Sequence, residues 1–357
     1  MKRPGWFETR GIPWWQWLAL APLVPCAWLY GAVAWGVRRV RTRSARRLSC
    51  RVVSVGNLVV GGSGKTPAAA WLAAQLRARG HKVAIASRGY GRSGREAVCV
   101  VSDGRYVRAT AAEAGDEPLL LAGHAPGVPV LVGPDRGRVG LRAVAAFGAD
   151  VLVLDDGMQH TRLARDVELV TFDGAAGLGN GWVLPRGPLR ERLGSLRGAD
   201  AFIVVDGPLD AADRERVAAW APTAQWFEAR RVPLALHPLG GGPDAPPDSL
   251  HGAEVGLLAG IARPSSLRRT VEALGARVVA ERYFADHHRY REHDVARLAA
   301  GAPRWVTTEK DAVKILPRWV GGVPVDTLRI ALQVERGDAL LDWIERRMRE
   351  ARRYGRG

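Results

Sequence analysis

The residues best placed to do chemistry are Gly61-Gly62-Ser63-Gly64-Lys65-Thr66. Glycines let successive backbone N–H groups curl around a phosphate, and a helix that starts at the end of the loop adds partial positive charge. A lysine there reaches the outer phosphates of a nucleotide, and the next hydroxyl is a ligand for Mg²⁺. The flanks agree. Arg51-Val52-Val53-Ser54-Val55 reads as a short buried strand, and Ala68 to Arg79 as a helix closed by Gly80. Strand, glycine-rich loop, Gly-Lys-Thr and helix make a phosphate-binding loop, with nucleotide contacts running from Val59 and Val60 to Thr66. Val59 departs from the usual spacing, because a glycine ordinarily stands five residues before Gly64.

Two acids stand at another strand end. Val151-Leu152-Val153-Leu154 is apolar and leads into Asp155 and Asp156. In a phosphate-loop protein a carboxylate here meets the metal, directly or through water. Turn or capping aspartates are the bland alternative. Adjacent side chains on an extended chain point to opposite sides, so one acid is expected on Mg²⁺ and the other on a substrate group or an arginine. Asp116 and Glu117, ahead of Pro118, read by themselves as a helix N-cap. His287 and His288 are adjacent and no third ligand is spaced for a metal, so an acid–base role or simple exposure suits them better.

Positioning these groups takes alternating strands and helices. Lys82–Ser87, Pro129–Val132, Ala149–Leu154, Glu168–Phe172 and Ala201–Val205 read as strands, with a helix from Arg138 to Gly148 and a hairpin around Asp103-Gly104. A second alternating unit runs through Val255–Gly260, Pro264–Leu274, Arg277–Tyr283 and Trp305–Thr308. This rhythm predicts an α/β fold with a mostly parallel, P-loop NTPase-like sheet flanked by helices, ligands lying at the strand carboxyl ends. Residues 51–235 read as the phosphate-loop domain, 236–335 as a smaller α/β domain and 336–357 as a basic amphipathic helix. His237 to Pro247, rich in Gly and Pro, reads as a turn region or linker between the two domains.

A chain of 357 residues suits two domains, and a net charge of +16 suits an anionic partner. The arginines cluster beside an apolar segment and in glycine loops, with no nucleic-acid module, which argues against a DNA- or RNA-binding role. Three widely spaced cysteines argue against a disulfide framework or a zinc site. Gly11 to Val37 carries no charged side chain but holds Trp14, Trp15, Trp17, Trp28 and Trp35, and Arg38, Arg39, Arg41, Arg43, Arg46, Arg47 and Arg51 follow without an acid. Residues 1–50 therefore read as an N-terminal membrane-anchoring segment. It either crosses the bilayer or lies in the interface, kinked at Pro22 and Pro25, with the rest on the cytoplasmic side. A cleaved signal peptide fits poorly, because the apolar run is too long and no small-residue cleavage site follows.

Seven motifs occur in one order: the Ser54–Pro67 loop, Ser-Arg-Gly-Tyr-Gly-Arg, Gly-Asp-Glu-Pro, Asp-Asp-Gly-Met-Gln-His, Leu-Pro-Arg-Gly-Pro-Leu-Arg-Glu, Phe-Ala-Asp-His-His-Arg-Tyr and Thr-Thr-Glu-Lys-Asp-Ala. In this the chain resembles the tetraacyldisaccharide 4′-kinases, the lipid A 4′-kinases of Gram-negative bacteria, whose loop also lacks the usual first glycine. The resemblance implies transfer of the ATP γ-phosphate to the 4′-hydroxyl of a tetraacylated glucosamine disaccharide 1-phosphate in lipid A biosynthesis. It implies ATP and Mg²⁺ as cofactors, an acylated disaccharide phosphate lipid as acceptor, and the inner-membrane bilayer as surroundings, at its cytoplasmic face. By the same likeness Asp116 takes the hydroxyl proton with His287 as its partner, and Lys65 and Thr66 hold phosphate and Mg²⁺. Asp155 and Asp156 stand near the metal, and Arg88, Tyr90, Gln159, His160 and Arg186 bind the acceptor. An acid and a histidine drawn from different domains would imply closure on ATP before chemistry. The rival reading is a membrane-associated P-loop ATPase that acts on a protein partner.

Overall fold

The computed structural model describes residues 7, 14–94, 96–296, 298 and 301–354. Most of the first thirteen residues, including the start of the apolar segment at Gly11, lie outside the described residues. Helices α1 (Trp14–Ala19) and α2 (Leu23–Arg43) precede β1 (Arg51–Asn57). Then come α3 (Lys65–Ala78), β2 (Val83–Ser87), β3 (Cys99–Ser102), α4 (Ala111–Ala114), α5 (Asp116–His124), β4 (Val130–Val132), α6 (Arg136–Phe147) and β5 (Val151–Asp155). β6 (Val167–Asp173), β7 (Ala201–Val205), α7 (Ala211–Ala218) and β8 (Gln225–Pro238) follow. The remainder is β9 (Glu254–Ala259), α8 (Pro264–Ala273), β10 (Arg277–Tyr283), α9 (Glu292–Val295), β11 (Trp305–Thr308), α10 (Glu309–Ala312), β12 (Val325–Val334) and α11 (Gly337–Tyr354).

The strands form one sheet in the order β10-β9-β11-β12-β8-β7-β6-β1-β5-β2-β4-β3. All neighbours are parallel except β3 with β4 and β8 with β12. The central strands are apolar on both faces because both faces are covered. Val53 and Val55 of β1 pack with α3, α5 and α11. Val52 of the same strand packs with Leu152 of β5 and Val139 and Ala143 of α6 on the other side, as the two-residue alternation of a strand requires.

β8 decides where the site lies. Its residues Gln225–Ala229 pair with β7, and the stretch from Ala229 onward pairs antiparallel with β12, from Val334 back to Asp326. At ~3.3 Å per residue the second stretch carries β8 about 30 Å beyond the carboxyl end of β7. β12 runs back along it, with β11 and β9 parallel to β12. The carboxyl ends of the two parallel half-sheets therefore point toward each other. The boundary expected between residues 235 and 236 falls within β8, and the expected linker begins inside that strand.

The N-terminal segment differs from a membrane-crossing helix. Among the described residues no helix is long and apolar enough to cross a membrane. Pro22 separates α1 from α2, since proline lacks the N–H that would continue a helix. The uncharged part of α2, Leu23 to Val37, reaches about 22 Å at 1.5 Å per residue, short of a ~30 Å hydrocarbon core. Its last turns carry Arg38, Arg39, Arg41 and Arg43, and Arg38 is tied to the body by a 2.9 Å ion pair with Glu191 and a bond to the Met158 carbonyl.

Candidate active site

The phosphate-binding loop leaves β1 at Asn57 and enters α3 at Lys65. Gly64 takes φ +80°, and a Cβ there would lie 2.9 Å from Val205 Cγ2, so only glycine fits. The Asn57 side-chain amide donates to the Val59 carbonyl at 2.5 Å, and Ser63 Oγ lies 3.0 Å from Thr171 Oγ1. The departure at Val59 has a physical account. Val59 is buried and forms an antiparallel bridge with Leu189, the Val60 N–H donates to the Pro188 carbonyl at 2.9 Å, and the Arg190 N–H donates to Leu58. The loop thus opens as extended backbone, where a β-branched residue is at home. The Val60 N–H is committed to that pairing.

Thr66 and the two aspartates meet at the head of α3. Thr66 Oγ1 donates to Asp155 Oδ1 at 3.2 Å, and Ser87 Oγ donates to Asp155 Oδ2 at 3.0 Å. Burial raises the Asp155 pKa, against the pull of Lys65 and with a further push from Glu117 and Asp156. Asp156, at φ +53°, turns the other way. Arg190 Nη1 donates to its two oxygens at 2.8 and 3.0 Å and to Gln159 Oε1 at 3.2 Å, while Gln159 Nε2 donates to the Asn57 carbonyl. Burial works against ionised Asp156, but Lys65 and Arg190 outweigh it and lower its pKa. Lys65 Nζ lies 3.7 Å from Glu117 Oε1. Burial alone would lower the lysine pKa, yet Glu117, Asp156 and Asp155 together raise it.

The neighbour of Glu117 completes the site. Asp116 opens α5 behind Gly115, which sits at φ +93° with room for a Cβ only 2.7 Å from the Tyr90 carbonyl. Its carboxylate is buried and lies 3.0 and 3.2 Å from His287 Nδ1. Burial would raise the Asp116 pKa, but the His287 hydrogen bond and the charges of Lys310, His287 and Lys314 bring it down to about 2. His287 sits at φ +59° in the loop after β10, its ring 5.4 Å from that of Tyr90. Lys310 Nζ is 3.1 Å from His287 Nε2 and 3.0 Å from Asp286 Oδ1, and Lys314 Nζ is 3.6 Å from Asp116 Oδ2. His288 faces elsewhere: its Nε2 lies 3.1 Å from Asp294 Oδ2 and its ring stacks on Phe284 at 4.4 Å. Of the adjacent pair, His287 is therefore the one brought to the aspartate.

The residues expected to bind the acceptor fall in four places. Tyr90, 66% exposed, stands beside His287, and Gln159 stands beside Asp156. Arg88 is exposed near buried Arg136. Half-buried His160 lies near Arg136 too, and burial together with Arg136 and Arg165 lowers its pKa to about 4. Arg186 is buried, with its guanidinium 3.7 Å over the Trp182 ring. Arg190, four residues on in the same motif, is the arginine that reaches Asp156. Ser87, Glu117, Lys310 and Lys314 also join the site. Glu117 had the signature of a helix cap, Lys310 carried no local signal beyond its place in the Thr-Thr-Glu-Lys-Asp-Ala motif, and Lys314, two residues past that motif, carried none.

Known proteins are similar to this chain over most of its length. The sequence profile described as LpxK, tetraacyldisaccharide-1-P 4′-kinase, matches residues 19–349. A tetraacyldisaccharide 4′-kinase of Anaeromyxobacter sp. (strain Fw109-5) is 44% identical over 93% of this chain and 92% of its own length. The protein of the same name from Syntrophus aciditrophicus (strain SB) is 41% identical over 81% of this chain and 82% of its own length. The crystal structure of LpxK from Aquifex aeolicus in complex with ATP superposes with a TM-score of 0.75 at 29% identity, covering 92% of this chain and 99% of that one. On this family match across residues 19–349, and on relatives 44% and 41% identical over most of their length, the chain belongs to the tetraacyldisaccharide-1-P 4′-kinase family.

Proposed function

We propose that the chain transfers the γ-phosphate of ATP to the 4′-hydroxyl of a tetraacylated glucosamine disaccharide 1-phosphate. The observation that carries this is the Asp116–His287 pair at 3.0 Å, one residue from the Glu117 that contacts Lys65. A hydroxyl-activating base thus stands beside the phosphate cradle, the arrangement phosphoryl transfer needs. Asp116 takes the hydroxyl proton as the acceptor oxygen bonds to the γ-phosphorus. The bond to the bridging oxygen breaks, and ADP leaves with that electron pair. Lys65 and the loop N–H groups hold the phosphates in line.

Oxygen donors of the right kind stand at the head of α3 for Mg²⁺: the Thr66 hydroxyl and the Asp155 carboxylate, 3.2 Å apart. Mg²⁺ binds through one or two carboxylates plus substrate phosphates. Among the described residues no group of three or more His, Cys, Asp and Glu is arranged to hold a metal, so nucleotide oxygens would complete its shell. Bound there, it would neutralise phosphate charge. Asp156, held by Arg190, fixes the turn that follows.

An acylated acceptor calls for access to a bilayer. α2 exposes Trp28, Leu29, Val33 and Trp35 at 62, 68, 56 and 60% and ends in arginines. An apolar face joined to a basic end suits a helix lying in the interface of an anionic membrane. This supports a place at the cytoplasmic face of the inner membrane, with lipid rather than nucleic acid as partner. Labelled ATP given with the lipid acceptor tests the reaction. Wild type makes a phosphorylated lipid, and Lys65→Ala and Asp116→Asn lose about 10²-fold or more of the transfer rate. Hydrolysis to free phosphate with no lipid product would favour the ATPase reading instead.

A further inference from the structure

We propose that Lys310 fixes the tautomer of His287 and so keeps Asp116 a free carboxylate. This rests on the kinase reading and assigns a positioning residue to it. Lys310 Nζ is 3.0 Å from Asp286 Oδ1 and 3.1 Å from His287 Nε2. Paired with a carboxylate, it is an ammonium, and an ammonium has donors only. His287 Nε2 must then accept, which leaves the ring proton on Nδ1, facing Asp116 at 3.0 Å. Which nitrogen carries the proton is set by the bond made at the other. Asp116 receives an N–H from His287 and another from Glu117, at 3.0 Å, and both favour the ionised acid.

The surroundings show why a cation is needed at that point. His287 faces Asp116 of α5, the Tyr90 ring, Lys310 of α10, and Asp286 of its own loop with Oδ2 at 4.0 Å from Nε2. Lys314 touches Asp116 but has no contact with His287 among the described interactions. Without Lys310, His287 would lie between two carboxylates, and a second proton on the ring would be stabilised. The imidazolium would hold the Asp116 carboxylate more tightly and make it a weaker base. Lys310 itself is placed by the short helix α10, which is docked on α5 through a 2.9 Å contact between His124 Nε2 and Glu309.

The test is ¹⁵N NMR of the imidazole nitrogens in the full-length protein, with His287→Gln to assign the signal among its 8 histidines. Wild type should show the neutral His287 ring carrying its proton on Nδ1. Lys310→Met should show the ring doubly protonated at a higher pH than wild type does, Lys310→Arg should keep the wild-type pattern, and Lys314→Met should leave the tautomer unchanged. In the transfer assay Lys310→Met loses about tenfold to a hundredfold in kcat at mildly acidic pH and recovers as pH rises, with KM for ATP unchanged. A neutral His287 ring protonated on Nε2 in wild type, or an unchanged tautomer and pH profile in Lys310→Met, would overturn the proposal. If wild type gave no lipid product, the kinase reading would fall while the nitrogen signals still decided the tautomer.

Discussion

At the scale of residues the site has three centres: Lys65 and Thr66 at the head of α3, Asp155 and Asp156 at the end of β5, and Asp116 against His287. Lys65 and Thr66 declare themselves because a glycine loop between strand and helix has few other uses. Asp155 and Asp156 were readable as a pair, and the structure divides them, Asp155 to Thr66 and Asp156 to Arg190. Asp116 was different. Its own neighbourhood reads as a helix cap, and its partner stands 171 positions away, so the motif order carried its role rather than its spacing. His160 gives a residue-scale prediction. Its pKa of about 4 in the folded protein lies below the ordinary 6.5, chiefly through burial. The unfolded chain therefore takes up the proton first. The stability it contributes is full above the ordinary value and declines as pH falls toward about 4. Urea denaturation of wild type beside His160→Gln should show a smaller loss over that window in the variant, and NMR titration of the His160 ring should give the low midpoint directly.

At the scale of elements, the parallel strands and the long helices were readable from apolar runs and glycine ends. β8 and β12 were not. β8 contains Arg230, Arg231, Pro233 and His237, and its second stretch is half-exposed. The buried residues of β8 after Gln225–Ala229 are Ala235 and Leu236, adjacent rather than alternating, so no two-residue apolar stripe announces that stretch, and β12 was passed over although Leu328, Ile330, Leu332 and Val334 alternate. The end of β8 merges with a Gly- and Pro-rich stretch that reads as linker. The element-scale prediction concerns the turn before α5. Gly115→Ala puts a Cβ at φ +93° and 2.7 Å from the Tyr90 carbonyl. It should cost about 1–3 kcal/mol of backbone strain, measured by urea denaturation. Because α5 then shifts, kcat should fall while KM for ATP stays near wild type. A variant with wild-type stability and rate would show that the turn relaxes without moving Asp116.

The whole molecule is organised by the antiparallel β8–β12 ribbon, which sets two parallel half-sheets carboxyl end to carboxyl end. Brought together in this way, His287 and Lys314 reach Asp116, and Lys310 reaches His287, from a loop and a short helix far along the chain. α2 lies on the same body through Arg38–Glu191, beside Arg190 of the site. Replacing Trp28, Leu29 and Trp35 together by serine should abolish most co-sedimentation with anionic vesicles and leave nucleotide binding intact. Undiminished vesicle binding would remove α2 as the docking surface.

By itself the sequence determined the phosphate loop, the α/β rhythm, the basic apolar front and the family, because each is written in contiguous residues or in motif order. Tertiary structure decided that α2 is tied to the body through Arg38, that His288 turns to Asp294 while His287 meets Asp116, and that Arg190 is the arginine that holds Asp156. These outcomes depend on which backbone directions meet at the site. Local composition does not encode that, and the reversal at β8 and β12 does.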